Sequence, residues 1–544
     1  MKKIFIFATL IFTLSLPTMG QGVMDALTIT SNQMKGTARY SAMAGAFGAL
    51  GGDMTSIKQN PAGIGVYRSS ELAVTAGFNF YANDVSTTTH NSRNNDFYFT
   101  GDNLGVVGVI NFREGSLRNL NFGFAYNNIA SFNNAYRADW SNISTSLTQL
   151  IASKAMYYGC DPMLLNVRGN SNPYYDQPWL PTLGYNTNLI YSAPTSSQPL
   201  HYNSIFDAHN SYGKAYLTNY TSGGIDEYDF NVSGNIRDML YWGVTLNATY
   251  ISYHQESYYG EELQNITVKD NTQSSSNPSN TNGFFEMSNY LHTKGYGIGA
   301  KVGVIYRPFN FLRLGFAFHT PTFYDLTDTY SAAVEYRFDK VNGRLLSGSS
   351  SESENRTDIG SFDYQFASPW HFLGSVAVII GKCGMLSIDY EYSTDNEMYY
   401  SDIYSDYSYT NECIFNQVRG VHNLRIGGEY RITPSFSLRA GYAYESSPLD
   451  KSYFDGAYTP QLTEGTICHY QVPGDTNNIT CGMGYRVNNI SIDVAYVYRQ
   501  QNYSIFAYIS SIGAGDLDAI VTKTTSRLAS AGRISEFQIG RAHV

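Results

Sequence analysis

Short stretches in which apolar and polar residues alternate one by one recur along this chain, and the connections between them come in two sizes. In Leu72-Ala73-Val74-Thr75-Ala76-Gly77-Phe78-Asn79-Phe80, Leu72, Val74, Phe78 and Phe80 share one face, with Thr75 and Asn79 on the other. Leu120, Phe122, Phe124 and Tyr126 oppose Asn121, Gly123, Ala125 and Asn127 in the same way. A period of two marks strands with one apolar and one polar face. Alternation alone does not say whether the apolar face points into a sandwich or out to lipid. The connections do: Arg307-Pro308-Phe309-Asn310, Gly381-Lys382-Cys383-Gly384, Ile432-Thr433-Pro434-Ser435 and Arg486-Val487-Asn488-Asn489 are tight turns, and long polar segments lie between them. Short turns on one side and long loops on the other are the habit of antiparallel transmembrane β-barrels.

Following the parity of this pattern places ascending strands near 71–80, 119–127, 240–253, 311–320, 385–394, 436–445 and 490–499. Descending strands fall near 103–112, 225–236, 294–307, 365–380, 421–432 and 476–486. Ser331 to Phe338 also alternates; as a span it would put later turns on the wrong side, so it is assigned to an extracellular hairpin. The thirteenth strand points outward. Single-chain bacterial barrels have an even number, which predicts an all-β, 14-stranded antiparallel barrel. Residues 500–544 offer no convincing descending strand, and Ile539 to Val544 matches one reading frame of a common sequencing adapter. The last strand is therefore expected to be missing or artefactual, with 500–544 a final loop and truncated end.

Residues 1–20 read as a secretory signal: Lys2 and Lys3, an apolar run from Ile4 to Leu16, and small residues before Gln21. No later run of about 18 apolar residues exists to form a membrane helix. The 47 tyrosines and 30 phenylalanines suit the aromatic girdles of a membrane barrel. A net charge of −10 argues against nucleic acid. The five cysteines form no metal-site spacing, although a loop disulfide between Cys413 and Cys468 is conceivable.

Before the first strand, Gly36 to Arg68 reads GTARYSAMAGAFGALGGDMTSIKQNPAGIGVYR, a segment of small residues that tolerates close backbone approach. This stretch resembles the N-terminal hatch of the FadL/TodX outer-membrane transport family, which carries an Asn-Pro-Ala motif. The run Gly295 to Pro308 followed by Leu312 to Pro321, and Ser368-Pro369-Trp370, are similar to Bacteroidetes members of that family, some labelled haemin receptors. The resemblance implies a hatch over 21–69 inside a barrel over 70–499, in the cell outer membrane. It implies passive uptake of hydrophobic small molecules, fatty-acid-like or aromatic. The ligand would pass from an external lid to a greasy lumenal pocket, and a mobile hatch would then release it sideways past a kinked third strand, here at Asn127 to Ser131. The implied partners are that ligand, outer-membrane lipid and lipopolysaccharide, and the barrel-assembly machinery, with the protein a monomer and no cofactor, metal or catalytic residue.

Within the hatch, Gly51, Gly52, Asp53, Asn60, Pro61 and Ala62 are the candidate gate residues. Asn60, preceding proline, is biased to an extended conformation, and Asp53 is placed to cap a helix over 54–59. Whether they form a fixed plug or a moving gate stays open. In the lid-like segment 131–222, Leu147, Leu150 and Ile151 fall on one helical face, with Trp179 and Leu180 downstream. They line a ligand groove or pack loop against loop. Strand parity turns Lys301, Arg313, Arg425, Arg439 and Arg499 inward with Glu227, Asp229, Asp389, Glu391, Glu429 and Asp493. Such charges pair in a self-neutralising ladder, or Lys301, Arg425 or Arg439 holds a ligand carboxylate. His319, His201 and His209 are candidate haem ligands. The alternatives to transport are a surface adhesin and a haem-binding receptor of the same fold. An enzyme is not expected, because no nucleophile elbow or Ser–His partnership is present.

Overall fold

The computed structural model describes residues 21–87, 89–168, 172–196, 198–273, 276–403, 405–450, 465–508 and 533–542, the last as backbone. The signal segment 1–20 lies outside the described residues. The first strands are β1 (Glu71–Ser86), β2 (Asn91–Asn111), β3 (Leu117–Ser131) and β4 (Asn134–Ile143), followed by the short pair β5 (Ile190–Ser192) and β6 (Tyr202–Ser204). Three long strands come next: β7 (Tyr212–Ile236), β8 (Leu240–Val268) and β9 (Ser279–Phe309). The seventh and eighth spans are each broken in two. One is β10 (Leu312–His319) with β11 (Phe323–Val341); after the hairpin strand β12 (Arg344–Gly348), the other is β13 (Gly360–Ala367) with β14 (His371–Ile380). The remainder are β15 (Gly384–Ser393), the short β16 (Tyr399–Ser401), β17 (Val421–Thr433), β18 (Phe436–Glu445), β19 (Tyr470–Val487), β20 (Ile490–Phe506) and β21 (Arg533–Ala542).

Each span pairs antiparallel with the next, from β1–β2 and β2–β3 through β3–β7 and on to β19–β20. All thirteen strands read from the sequence are found, and Ser331–Phe338 belongs to the β11–β12 hairpin above the wall. The fourteenth place differs from expectation. The backbone of β21 lies between β20 and β1 and closes the ring. Arg533, Glu536, Gln538 and Arg541 interrupt the apolar period there, so alternation gave no sign of it.

The wall is inside-out relative to a soluble sandwich. In β3, Phe122 is 47% exposed while Asn121 and Asn127 are wholly buried. Leu246, Ile298 and Phe316 likewise face outward, and Asp229, Thr245 and Asp389 face inward. An apolar outer face is favourable only where lipid covers it.

Above the wall, β4 and the upper ends of β7, β8, β9 and β11 support a lid. Its helices α4 (Leu147–Tyr157) and α5 (Trp179–Asn186) share a hydrophobic core with residues such as Tyr259, Phe285 and Phe338. Ser146 caps α4 by accepting the Thr148 N–H, in a capping box with Gln149. A second apolar cluster joins the N-terminal helix α1 (Val23–Ile29) to α6 (Ser408–Gln417), an extracellular helix that the sequence pattern did not show. The suggested disulfide is not formed: Cys413 and Cys468 are buried free thiols in separate clusters, Cys468 in the lid core and Cys413 in the cluster around α1.

Candidate functional site

The segment 35–68 folds as a hatch inside the ring, in short helices α2 (Ala38–Ala42) and α3 (Ser56–Gln59) and a 3-10 turn over Pro61–Val66. Gly51 and Gly52 have φ of +61° and +65°, the left-handed region that glycine adopts freely. The Gly52 N–H donates to the Gly63 carbonyl, folding the Gly-Gly turn onto the Asn-Pro-Ala turn. Asp53 accepts from the Thr55 N–H at 3.0 Å and from Thr37 Oγ1 at 2.7 Å. It thus organises the turn before α3 and ties it to the cap of α2, whereas the cap position of α3 itself is Thr55. Asn60 is extended, with φ −134° and ψ 102°, as the following proline demands. Its carboxamide donates to the Gly48 carbonyl at 2.6 Å and to the wall carbonyl of Val304 at 3.4 Å, and accepts from Ala62 N–H at 3.2 Å.

The inner wall satisfies the hatch backbone with side chains. Asn121 Nδ2 donates to the Ile64 carbonyl at 2.6 Å, Thr245 Oγ1 to Ile57 at 3.0 Å, and Asn231 Nδ2 to Pro61 at 3.3 Å. Arg313 holds the Leu50 carbonyl, and Asp389 accepts from the Gly48 N–H and from Gln59 Nε2. Buried backbone polar groups need such partners. Glycines in the wall let the hatch approach this closely. A Cβ on Gly303 would lie 1.9 Å from Asn60 Oδ1, and one on Gly243 2.4 Å from the Pro61 carbonyl. Gly315 and Gly427 face Gly48 and Met43 at 2.3 Å in the same way. Sequence reasoning missed these wall glycines; their signal was glycine recurring on the inward face of a strand.

The inward charges form pairs. Lys301 Nζ lies 2.5 Å from Glu227 and 3.6 Å from Asp229. Arg425 is 2.7 Å from Glu391, and Arg439 bridges Glu429 at 2.7 Å and Asp493 at 2.5 Å. Arg39 of the hatch joins Glu429 at 3.0 Å, so this last group anchors the hatch near the periplasmic end. Lys301 and Arg425 nevertheless line the cavity above the hatch.

That cavity has two chambers separated by Thr30–Gln33. The lower, about 150 Å³, ends on the hatch at Lys58 and Gln59; the upper, about 330 Å³, reaches up to Phe132, Tyr253 and Tyr470. Burial draws the Lys58 ammonium down to about 8. The greasy lumen expected from the sequence is not what lines it: Asn, Gln, Thr and ionisable groups outnumber aliphatic side chains, because the same inward positions also hold the hatch.

Leu147, Leu150, Ile151 and Leu180 are all at most 5% exposed inside the lid core and line neither chamber. Trp179 packs on Tyr330 in a tilted pair, with ring centroids 4.8 Å apart, and lines a separate external groove with Tyr174 and Tyr290. His319 Nε2 is bonded to the Gln59 carbonyl at 2.8 Å, and His201 Nε2 lies 3.1 Å from Asn203. The His209 N–H donates to Asp207 at 3.0 Å in an exposed turn.

The third strand carries the irregularity anticipated near Asn127 to Ser131. Ile129 is an extra residue between the pairs Asn128–Asp226 and Ala130–Ile225. Pairing of β3 with β2 stops at Asn103–Asn127, one residue below a second bulge at Asp102. Higher up, Asn94 and Ser92 of β2 bond to β4 carbonyls through their side chains. Between these points β2 and β3 share no backbone ladder. The hatch approach segment reaches this break: the Gln33 N–H donates to the Ile129 carbonyl at 2.9 Å, and Lys35 Nζ to Asn128 at 2.8 Å. Ile129 also lines the lower chamber.

A family model described as outer membrane protein transport protein (OMPP1/FadL/TodX) matches residues 196–530. No curated protein sequence matches the chain. Among solved structures, the chain is similar to a Pseudomonas aeruginosa FadL homologue at 12% identity, covering 94% of this chain and 99% of that one, with a TM-score of 0.49. The Pseudomonas putida toluene transporter TodX shares 11% identity over 94% and 98%, TM-score 0.47. The Ralstonia pickettii toluene transporter TbuX shares 14% over 94% and 99%, TM-score 0.42.

Proposed function

The chain belongs to the outer membrane transport protein family OMPP1/FadL/TodX, and from that premise we propose that it is a passive conduit for hydrophobic small molecules with a sideways exit through its wall. Members of this family are outer-membrane transport channels rather than enzymes. The single observation that carries the exit is the interrupted β2–β3 seam, because the bulged residue Ile129 lines the lower chamber.

The ligand enters below the lid, passes the N-terminal segment into the lower chamber, and leaves when the hatch segment lets go of the Ile129 carbonyl. Four hydrogen bonds of ordinary length must break there: the Gln33 N–H to the Ile129 carbonyl, Lys35 Nζ to Asn128, and the Gln33 carboxamide's two bonds with the Ser131 backbone. Each contributes about 1 kcal/mol, or somewhat more where charged, so thermal motion suffices and no external energy source is needed. Leaving between strands delivers an apolar molecule to the hydrocarbon layer without crossing the aqueous periplasmic mouth.

Deleting Ile129 tests this. The pairs on either side are consecutive on β7, so the deletion leaves β3 in register and flattens the bulge. Uptake of radiolabelled ethylbenzene by cells carrying the deletion should fall to the level of cells without the protein. Uptake equal to that of the unaltered chain would refute a lateral exit at this seam.

A further inference from the structure

Four side chains around the lower chamber keep hydrogen-bonding capacity that the protein does not use. Lys58 of α3 is 9% exposed, and among the described residues its ammonium makes no hydrogen bond or ion pair. Glu227, the acid whose charge acts on it most, is held by Lys301 at 2.5 Å. Arg425 gives Nη2 to Glu391 at 2.7 Å and leaves Nη1 without an acceptor. Gln59 Nε2 is committed to the Gly45 carbonyl at 2.8 Å and to Asp389 at 3.1 Å, which leaves its Oε1 without a donor. Asn478, 7% exposed, makes no side-chain hydrogen bond among the described residues, and its Oδ1 is buried. All four residues line the chamber.

The strand register brings two of them to one place. Arg425 on β17 pairs with Ala443 on β18, and Ala443 pairs with Asn478 on β19. Arg425 and Asn478 therefore stand two strand spacings apart, about 10 Å, and the short side chain of Ala443, also in the lining, leaves room between them. Lys58 and Gln59 of the hatch form the floor. Charge is balanced here. Lys58, Lys301, Arg425 and Arg499 share the lining with Glu227, Glu391 and Glu445, and Asp229 lies 3.6 Å from Lys301. The imidazoles of His319 and His371 are taken by the Gln59 carbonyl and by Glu391. A carboxylate head only accepts, so it meets Lys58 and Arg425 and leaves the Gln59 and Asn478 oxygens unmet. An ammonium head only donates and leaves Lys58 and Arg425 unmet. Each buried group left so keeps its desolvation penalty. A head that both accepts and donates meets all four.

We propose that the lower chamber is a binding site for the uncharged carboxamide head of an amphiphile. The amide oxygen, with two lone pairs, accepts from Lys58 Nζ and Arg425 Nη1, and the amide N–H groups donate to Gln59 Oε1 and Asn478 Oδ1. A volume of about 150 Å³ is that of a protein cavity which holds one benzene, so the head and a short stem fill it. The rest of the body extends past Thr30–Gln33 to the rings of Phe132, Tyr253 and Tyr470 in the upper chamber. This assignment deepens the transport reading and rests on it, since it names the class of amphiphile carried.

The test compares four probes with one phenyl body: 2-phenylacetamide, phenylacetate, 2-phenylethylammonium and ethylbenzene. Binding to the purified full chain in lipid nanodiscs is read by titration calorimetry, and entry of each probe into cells by radiolabel. The amide should bind about tenfold tighter than any of the other three, the worth of about one satisfied hydrogen bond. Asn478→Ala should lower the ratio of amide to ethylbenzene affinity about tenfold, and Lys58→Met should do the same. The two sit on wall and hatch, so one keeps the test decisive if the other does not fold. Equal or tighter binding of the carboxylate, the ammonium or the hydrocarbon overturns the assignment, as does an affinity ratio that neither substitution moves. In that case, ethylbenzene uptake by cells leaves the transport reading standing. Amide binding with no probe entering cells sinks the transport reading and leaves the site.

Discussion

Replacing Gly303 with alanine places one methyl group against the most tightly held point of the hatch. The added Cβ would lie 1.9 Å from Asn60 Oδ1 and 3.0 Å from Asn60 Cγ and Pro61 Cδ. Relief of that overlap requires the Asn60 carboxamide to withdraw by more than 1 Å, roughly the shortfall from an ordinary carbon–oxygen contact. Withdrawal breaks its bonds to the Gly48 carbonyl, the Val304 carbonyl and the Ala62 N–H. At about 1 kcal/mol each, the hatch loses about 3 kcal/mol of local stability, or a factor of about 150 in its opening equilibrium. The wall itself is barely touched, since antiparallel pairing of β9 with β8 and β10 does not use the side chain at 303. Hydrogen exchange in nanodiscs should therefore show amides of 60–66 exchanging about a hundredfold faster while β8 and β9 amides stay protected. Gly374→Ala is the control, because nothing lies within 4 Å of a Cβ there. Unchanged exchange over 60–66 in Gly303→Ala would refute the claim that wall glycines seat the hatch.

Lys301→Met leaves Glu227 and Asp229 buried together without their cation, which should cost about 3–5 kcal/mol by denaturant unfolding; adding Glu227→Gln should restore part of it. Ile151→Ala removes a wholly buried lid side chain and should lower lid stability by about 2–5 kcal/mol, measured by exchange of α4 amides, with barrel melting unchanged. Glu261, above the membrane, accepts from Ser146 Oγ, the Leu147 N–H and Tyr259 Oη at the start of α4. Burial pushes its carboxyl up to about 7. The folded lid then binds the proton more tightly than the unfolded one, so this contribution to stability is full below about 4.5 and is lost as pH rises through 7. Protection of α4 amides, corrected for intrinsic exchange, should fall between pH 5 and pH 8, and Glu261→Gln should abolish that dependence.

Strand positions were legible because membrane-facing and lumen-facing residues alternate with a fixed period, and turn length sorts the two ends. The same period hid where the wall leaves the membrane: Tyr212 to Gly224 and His254 to Val268 continue the alternation well above it. Charge parity was readable, but partners were not. Lys301 sits opposite Thr245 and His319 on its neighbouring strands, and its acid Glu227 comes from β7, one strand further on. Helix α6 was missed because Ser408–Gln417 has few apolar residues; its buried face consists of little more than Thr410, Cys413 and Ile414. The hatch motif was visible as composition, and its receptor in the wall was not, since an inward glycine is recognised only when something is known to press against it.

The most direct measurement of hatch-gated passage is uptake through a chain whose hatch is covalently pinned. A Cβ on Gly48 would lie 2.8 Å from Ser375 Cβ across the hatch–wall contact, against about 3.5–4.5 Å in a disulfide, a difference that a small shift of the hatch loop absorbs. In a background with the five native cysteines replaced, Gly48→Cys with Ser375→Cys should block ethylbenzene uptake when oxidised and recover it on reduction. Equal uptake in the oxidised and reduced states would contradict the account.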